Sequence, residues 1–193
     1  MTTTITIDKQ FRNLRKACLQ DDSRPVLNAV YIDPAGKAVA SDGFIMAVVP
    51  AEITDDPLPY PGLLIPVELW RLALRITNAK AHLGFTWDGD LITVDGGHLS
   101  ISGSPVTGTY PDWQNLLKRE AVSGKTHAGF VAFDPSCAAR LAAALGPDRP
   151  CILRTTAKSL SPLWRYAGEG MGIMMPMAVS HETWADALAE VSK

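Results

Sequence analysis

Cysteines and long apolar runs are scarce in this chain, and each scarcity excludes a class of protein. The 193 residues contain three widely spaced cysteines, Cys18, Cys137 and Cys151, which do not form a disulfide framework. We therefore expect a reduced, cytoplasmic protein. No apolar run reaches the roughly 18 residues of a membrane span, and the first residues lack the pattern of a secretory signal. No membrane partner is expected.

Patterns typical of catalytic and metal sites are also lacking. The four histidines have no second histidine, cysteine or carboxylate at ligand spacing. The glycine-rich stretch 168–172 precedes apolar, strand-like residues instead of a helix that could hold a phosphate. Ser104 lies between glycines, but Pro105 follows it and no strand-to-helix elbow surrounds it. The sequence predicts no enzyme, no cofactor and no metal site.

Positive charge is concentrated in two predicted helices, although the whole chain has a formal net charge of −2. That net charge argues against a generally basic nucleic-acid binder but allows a basic patch on one face. An ordinary solvated helix face is one explanation of the cluster. The other is a surface that follows DNA phosphates without reading bases. The candidate DNA-binding residues are Lys9, Arg12, Arg15, Lys16, Arg71 and Arg75.

The order strand, helix, three strands recurs in three segments, at roughly 3–53, 61–117 and 127–179. Such units predict an α+β fold with three β-α-β-β-β repeats. A further helix is predicted at 181–193. We expect a first domain at 1–120 with two repeats, a half-domain at 121–180, and the C-terminal helix.

The first repeat illustrates the patterns on which these predictions depend. Phe11, Leu14 and Cys18 recur at helical spacing, and Asp8 precedes them as a candidate N-cap, so an α-helix is predicted there. Residues 44–49 then form a strand-like run without a polar residue. A strand with one wet face would alternate, so we expect both faces of this strand to be covered.

Three motifs occur in order along the chain. The first combines Arg24 and Leu27-Asn28-Ala29 with Ala-Ser-Asp-Gly-Phe-Ile-Met-Ala at 40–47. The second is Gly-Thr-Tyr-Pro-Asp-Trp at 108–113, and the third is Met-Met-Pro-Met-Ala-Val at 174–179. Together they resemble the middle domain and the chain end of the bacterial beta sliding clamp, the processivity factor of DNA polymerase III.

The resemblance implies a DNA-clamp-like fold of half-domain repeats whose helices line a hole around duplex DNA. It implies a non-catalytic protein that tethers its partners. It also implies a homo-oligomer, since one chain carries too few repeats for a ring. The alternative is that the C-terminal helix covers the open sheet edge of the third repeat within one chain. Whether a ring closes stays open, because the repeats present match the family's middle domain and only half of its last domain.

The resemblance also implies a hydrophobic groove in which DNA polymerase and other partners insert a short clamp-binding motif. Flexible, polarizable methionines suit a groove that accepts several peptides. A place in the core is the other explanation of these apolar residues. Phe44 and Ile45 stand where the family has His and Arg, so the groove would be less charged. The matching residues are Leu27, Ser41, Gly43, Phe44, Ile45, Met46, Met175, Pro176 and Met177.

Two hypotheses about function follow. In the first, the chain is a clamp-like DNA replication accessory protein that binds partner peptides and contacts or encircles duplex DNA. In the second, it is a peptide-binding module without a ring that competes for clamp partners and does not bind DNA. Salt-dependent DNA affinity would separate them, because phosphate contacts impose a steep salt dependence.

Overall fold

A computed structural model describes residues 2–121, 133–146, 163–167 and 169–175 of the chain. Within them two antiparallel sheets and a few helices form an α+β fold, as predicted. The strands are β1 (Thr3–Ile7), β2 (Ala29–Asp33), β3 (Lys37–Ser41), β4 (Ile45–Pro50), β5 (Glu52–Asp55), β6 (Leu63–Pro66), β7 (Leu83–Trp87), β8 (Ile92–Asp95), β9 (Ser100–Gly103), β10 (Leu163–Ala167) and β11 (Gly170–Met174). The α-helices are α1 (Val67–Ile76), α2 (Trp113–Ala121) and α3 (Pro135–Leu145).

The first two repeats exchange their first strands. One sheet has the order β5-β1-β7-β8-β9, so the first strand of repeat one pairs with the meander of repeat two. The other sheet has the order β10-β11-β4-β3-β2-β6, so the first strand of repeat two joins the meander of repeat one. The two repeats are therefore interlocked through backbone hydrogen bonds.

The predicted α-helix of the first repeat is wrong in its type. Two short 3₁₀ turns, Lys9–Phe11 and Leu14–Ala17, occupy this segment, and their backbone N–H groups reach back three residues instead of four. Asp8 caps the first turn as predicted, since its carboxylate accepts the Gln10 N–H at 2.9 Å. Phe11, Leu14 and Cys18 are all buried, so the apolar stripe is confirmed although the helix type is not.

The predicted helices of the second and third repeats are confirmed, as α1 and α3. Asp134 accepts the Ser136 N–H at 2.7 Å, Pro135 occupies the first turn, and Gly146 ends the helix with a φ of 95°. The predicted strands before and directly after α3, and the C-terminal helix at 181–193, lie outside the described residues. The number of repeats and the domain boundaries therefore remain predictions.

The main core lies between the two sheets and the helical segments. It unites side chains from β1, β7 and β8 with those of β2 to β4, the 3₁₀ turns, α1 and α3. Trp70 of α1 is fully buried, packs against Phe85 with ring centroids 4.9 Å apart, and donates its indole N–H to Arg12 O at 2.8 Å. Leu141 and Leu145 place α3 in the same core, so the third segment packs directly on the first.

Candidate functional site

Strand β11 extends the sheet of the first repeat by pairing with β4. Met174 lies opposite Ile45, Ile173 lies opposite Met46, and the Met175 N–H continues this register by donating to Phe44 O at 2.8 Å. The beginning of the sequence Met174–Val179 is thus placed beside the strand that follows Ser41-Asp42-Gly43. The sequence predicted this juxtaposition only through the family resemblance.

The side chains on the outer face of the β4–β11 pair form an apolar strip. Cross-strand partners share a face of the sheet, and positions along each strand alternate between faces. Exposure changes along the strip: Met46 and Ile173 in its middle are 5% and 3% exposed, whereas Phe44 and Met175 at its end are 68% and 41% exposed. The apolar strip consists of Phe44, Met46, Val48, Met171, Ile173 and Met175.

A second hydrophobic cluster covers the outer face of β4. Met46 and Val48 pack with Leu27 and with residues of the segment 106–117, which crosses the outer face of the sheet. Tyr110 and Leu117 belong to this cover. Both faces of β4 are buried, as its lack of polar residues predicts. The cover does not extend over Phe44 and Met175, which stay exposed.

The turn beside the exposed end of the strip is held by hydrogen bonds from its own side chains. The Asp42 carboxylate accepts the N–H groups of Phe44 and Ile45, each at 2.8 Å. Ser41 donates its hydroxyl to Ile45 O at 2.8 Å and accepts the Gly43 N–H at 3.1 Å. Gly43 has a φ of 95°, a left-handed conformation that favours glycine. These contacts fix the direction in which Phe44 leaves the sheet.

An arginine from the third segment completes this turn. The guanidinium of Arg140, on α3, donates to the second oxygen of Asp42, whose side chain is 5% exposed. Burial alone would lower the pKa of Arg140, but the hydrogen bond to Asp42 and the Asp42 charge together outweigh burial, so the pKa is raised. The ion pair anchors α3 to the turn at the end of the apolar strip.

The predicted groove residues lie in different places in the structure. Leu27, Met46 and the exposed pair Phe44 and Met175 lie on the outer face. Ile45 is 1% exposed and points into the main core, so its side chain faces away from the strip. Ser41 and Gly43 act through the turn, while Pro176 and Met177 lie outside the described residues.

The sequence predicted an extended run here, but Met171 and Ile173 of β11 were not among the predicted groove residues. Met171 and Ile173 line the strip, whereas Gly170 and Gly172 face α3. A Cβ on Gly172 would lie 2.6 Å from Leu141 Cδ1, so α3 packs where only glycine fits. In the sequence, Gly170 and Gly172 alternate with Met171 and Ile173. This alternation indicates a strand with one face packed closely against a helix and the other face apolar.

Of the predicted DNA-binding residues, three surround one carboxylate on α1. Arg71 pairs with Glu68, with Nη2 2.5 Å from Oε1 and Nε 2.9 Å from Oε2. The hydrogen bond from Arg71, and then the charges of Arg71, Arg75 and Arg15, lower the pKa of Glu68. Arg15 and the α1 arginines are therefore neighbours in space, and Arg75 is exposed. The name basic surface covers these three arginines together with Lys9 and Lys16, which are exposed on the 3₁₀ turns.

Arg12 does not belong to this surface, which corrects the prediction for that residue. It is 6% exposed, and burial lowers the pKa of its guanidinium. Its Nη1 donates to Ala81 O at 2.9 Å, and its Nη2 donates to Thr77 Oγ1 at 2.7 Å. The 3₁₀ geometry turns Arg12 toward the end of α1, so its role is to join these segments.

Metal-binding clusters and membrane-spanning helices are the two other features to consider in the described part of the chain. Within residues 2–121, 133–146, 163–167 and 169–175, metal-ligating side chains do not gather in groups of three or more. Over the same residues, every helix is too short or too polar to cross a membrane.

Comparison with known proteins relates the fold to one family of structures. No protein-family profile matches the sequence, and no curated protein sequence is similar to it. Solved structures of bacterial beta sliding clamps do match. DNA polymerase III subunit beta from Borrelia burgdorferi is 15% identical, with a TM-score of 0.63, over 92% of this chain and 64% of that one.

Two further clamps match with similar identity, coverage and TM-score. The Helicobacter pylori beta clamp bound to a DNA ligase peptide is 14% identical with a TM-score of 0.67, over 91% of this chain and 65% of that one. The Caulobacter crescentus sliding clamp is 14% identical with a TM-score of 0.61, over 92% and 66%. At this identity the likeness establishes a clamp-like fold. The chain spans less than two thirds of the length of these clamps.

Proposed function

We propose that this chain, whose fold is that of bacterial sliding clamps, is a non-catalytic DNA replication accessory protein that binds hydrophobic motifs of partner proteins. DNA polymerase and other proteins with clamp-binding motifs are the proposed partners. The docking site is the exposed end of the apolar strip, at Phe44 and Met175, with the buried Met46 and Leu27 behind it.

The observation that carries this proposal is the exposure of Phe44 beside Met175. Two large apolar side chains at 68% and 41% exposure lie on neighbouring strands, next to a buried apolar cluster. Apolar surface that continues a core outward gains free energy when another protein covers it. The Helicobacter pylori clamp of the same fold was solved with a DNA ligase peptide, which makes a peptide the natural ligand to test.

Duplex DNA is the second proposed partner, through the basic surface. Lys9, Lys16 and Arg75 are exposed, and Arg15 adds its charge to those of the α1 arginines. Such a surface would contact phosphates independently of base sequence. A homo-oligomer is proposed as well, because among the described residues one sheet ends on the edge strands β5 and β9, and proteins tend to cover such edges.

The second candidate function is a peptide-binding module without a DNA role, which competes for clamp partners. It is favoured by the loss of two expected phosphate contacts: Arg12 is buried against Thr77 and Ala81, and Arg71 is engaged by Glu68. The DNA affinity of the whole chain separates the two functions. A linear fall of log affinity with log salt supports the DNA role, and no affinity at low salt supports the module.

Titration with the fluorescently labelled DNA ligase peptide tests the peptide function. Phe44→Ser and Met175→Ser should each weaken binding about tenfold or more, since exposed anchors of this kind dominate peptide affinity. Leu99→Ser is the matched control, because Leu99 is 57% exposed and lies between β8 and β9 in the other sheet. Equal losses in all three variants, or no loss at Phe44 and Met175, would contradict the proposed site.

A further inference from the structure

A second cleft lies at the opposite end of β3 from the Ser41–Phe44 turn. It has a volume of about 560 Å³, within the range of about 300–1,000 Å³ that is typical of small ligand sites. The loop after β2, the loop before β6 and the start of α2 form its walls. We call it the aromatic cleft, after the lining side chains Tyr31, Tyr60, Tyr110 and Trp113.

The aromatic side chains of the cleft differ in exposure. Tyr31 and Tyr110 stack in parallel, with ring centroids 4.8 Å apart and planes 8° apart. This stack is fixed, since Tyr110 is 9% exposed and Tyr31 donates its hydroxyl to Pro61 O. Tyr60 is 93% exposed. The cleft therefore combines a packed aromatic wall with one exposed aromatic ring.

Carboxylates give the cleft a negative charge. Asp33 is 8% exposed, and its donors among the described residues are neutral: the Ala35 N–H at 2.8 Å, the Trp113 indole at 3.1 Å and the Gln114 amide at 3.4 Å. Asp112 lies exposed at the start of α2, where one of its oxygens accepts the Asn115 N–H. Among the described residues that line the cleft there is no Lys, Arg or His, and the nearest cation in the sheet register is Lys37, which lies opposite Asp33 in the β2–β3 pair.

We propose that the aromatic cleft binds an arginine side chain presented by an extended segment of a partner protein. A guanidinium is planar, stacks on aromatic rings and is weakly hydrated, so it suits a cleft with Tyr60 and Trp113 at its walls. Asp33 and Asp112 supply the opposite charge. Pro34, Pro61 and Pro111 line the same cleft and add apolar surface beside the aromatic rings.

The cleft and the apolar strip are separate sites on one sheet. Strand β3 runs from Lys37, beside the cleft, to Ser41, beside the strip, and the covering segment 106–117 separates them on the outer face. The inference does not depend on the proposed peptide function. Loss of ligase-peptide binding in Phe44→Ser should leave arginine binding in the cleft unchanged.

The test uses two synthetic peptides that differ only in charge. The probe is acetyl-Gly-Pro-Arg-Pro-Gly-amide, and its control carries citrulline in place of arginine. Binding is followed in the full chain by the NMR signal of the Trp113 indole N–H, which donates to Asp33. Trp113→Phe assigns that signal. The arginine peptide should shift it at millimolar concentration and bind at least about fivefold more tightly than the citrulline peptide.

Surface variants keep the test independent of folding. Tyr60→Ala and Asp112→Asn alter exposed side chains, and Asn is itself a good helix cap. Each should weaken the arginine peptide about three- to tenfold. Asp90→Asn, in the exposed β7–β8 turn, is the control and should have no effect. Equal binding of the two peptides, or affinity unchanged in both cleft variants, would overturn the proposal. Equal binding would identify a site for proline-rich segments instead.

Discussion

Asp42, in the turn between β3 and β4, and Arg140, on α3, form an ion pair across 98 residues of sequence. The same carboxylate holds the N–H groups of Phe44 and Ile45. One buried acidic side chain therefore connects the third segment to the turn that presents Phe44. The shape of the proposed peptide site depends on this connection.

Arg140→Ala should reduce both stability and peptide binding. Without the guanidinium, Asp42 keeps its two backbone donors but loses its charged partner, which should lower the free energy of unfolding by about 1–3 kcal/mol. Urea denaturation measures this change, and the labelled ligase peptide measures the effect on the site. Arg75→Ala, on exposed α1 surface, is the control. A variant with unchanged stability would show that the ion pair is not formed in solution.

Gly172→Ala should destabilise the packing of α3 on β11. The added Cβ would lie 2.6 Å from Leu141 Cδ1 and 2.9 Å from Leu145 Cδ1, and such overpacking costs about 1–3 kcal/mol. Gly84→Ala in β7 is the matched control, because a Cβ added there would meet no atom within 4 Å beyond its chain neighbours. Thermal unfolding should show a loss for Gly172 and no loss for Gly84. Similar melting temperatures for both variants would contradict this packing.

Much of this architecture follows from local patterns, and the exceptions have physical causes. Apolar patterns and turn residues predicted β1 to β4, β6 to β9 and the extended runs of β10 and β11, and helical spacing predicted α1 and α3. The helical spacing of Phe11, Leu14 and Cys18 could not predict 3₁₀ geometry, because burial of Arg12 and its bonds to Thr77 are long-range contacts. Strand β5 was missed as well, since Glu52 to Asp55 are mostly exposed and lack a clear apolar face.

Replacing Arg12 should lower stability, whereas replacing Arg75 should affect DNA binding and leave stability nearly unchanged. Arg12→Ala removes a buried guanidinium with three hydrogen bonds and should lower the free energy of unfolding by about 2 kcal/mol. Arg75→Ala should change stability by less than about 0.5 kcal/mol. Under the DNA-binding hypothesis, it should lower the slope of log affinity against log salt by about 0.9. An unchanged slope would remove Arg75 from the basic surface.

The cysteines should differ in their rate of alkylation by iodoacetamide. Burial raises the pKa of the Cys18 thiol far above its usual value, and burial followed by the charge of Asp134 raises the pKa of Cys137. Alkylation requires the thiolate, so a raised pKa slows it at any pH below that pKa. In a Cys151→Ser background, half-buried Cys137 should react slowly and fully buried Cys18 more slowly still. Mass spectrometry reads both rates, and equal rates in the native chain would contradict the burial of Cys18.

For the candidate site, the structure brings some of the predicted residues together and separates others. The resemblance led to Phe44, Met46 and Met175, which the sheet brings together. It also included Ile45, whose side chain the strand alternation directs into the core. Asp42, Arg140 and the aromatic cleft were missed, because their contacts join segments that no local pattern relates.

Photo-crosslinking at position 44 is the most direct test of the central claim, that the exposed end of the apolar strip binds partner peptides. The chain would carry benzoylphenylalanine in place of Phe44, or in place of Leu99 as the control, and be irradiated with the DNA ligase peptide. The account predicts a covalent adduct at position 44, competed by unlabelled peptide, and none at position 99. Adducts at neither position, or equally at both, would contradict it.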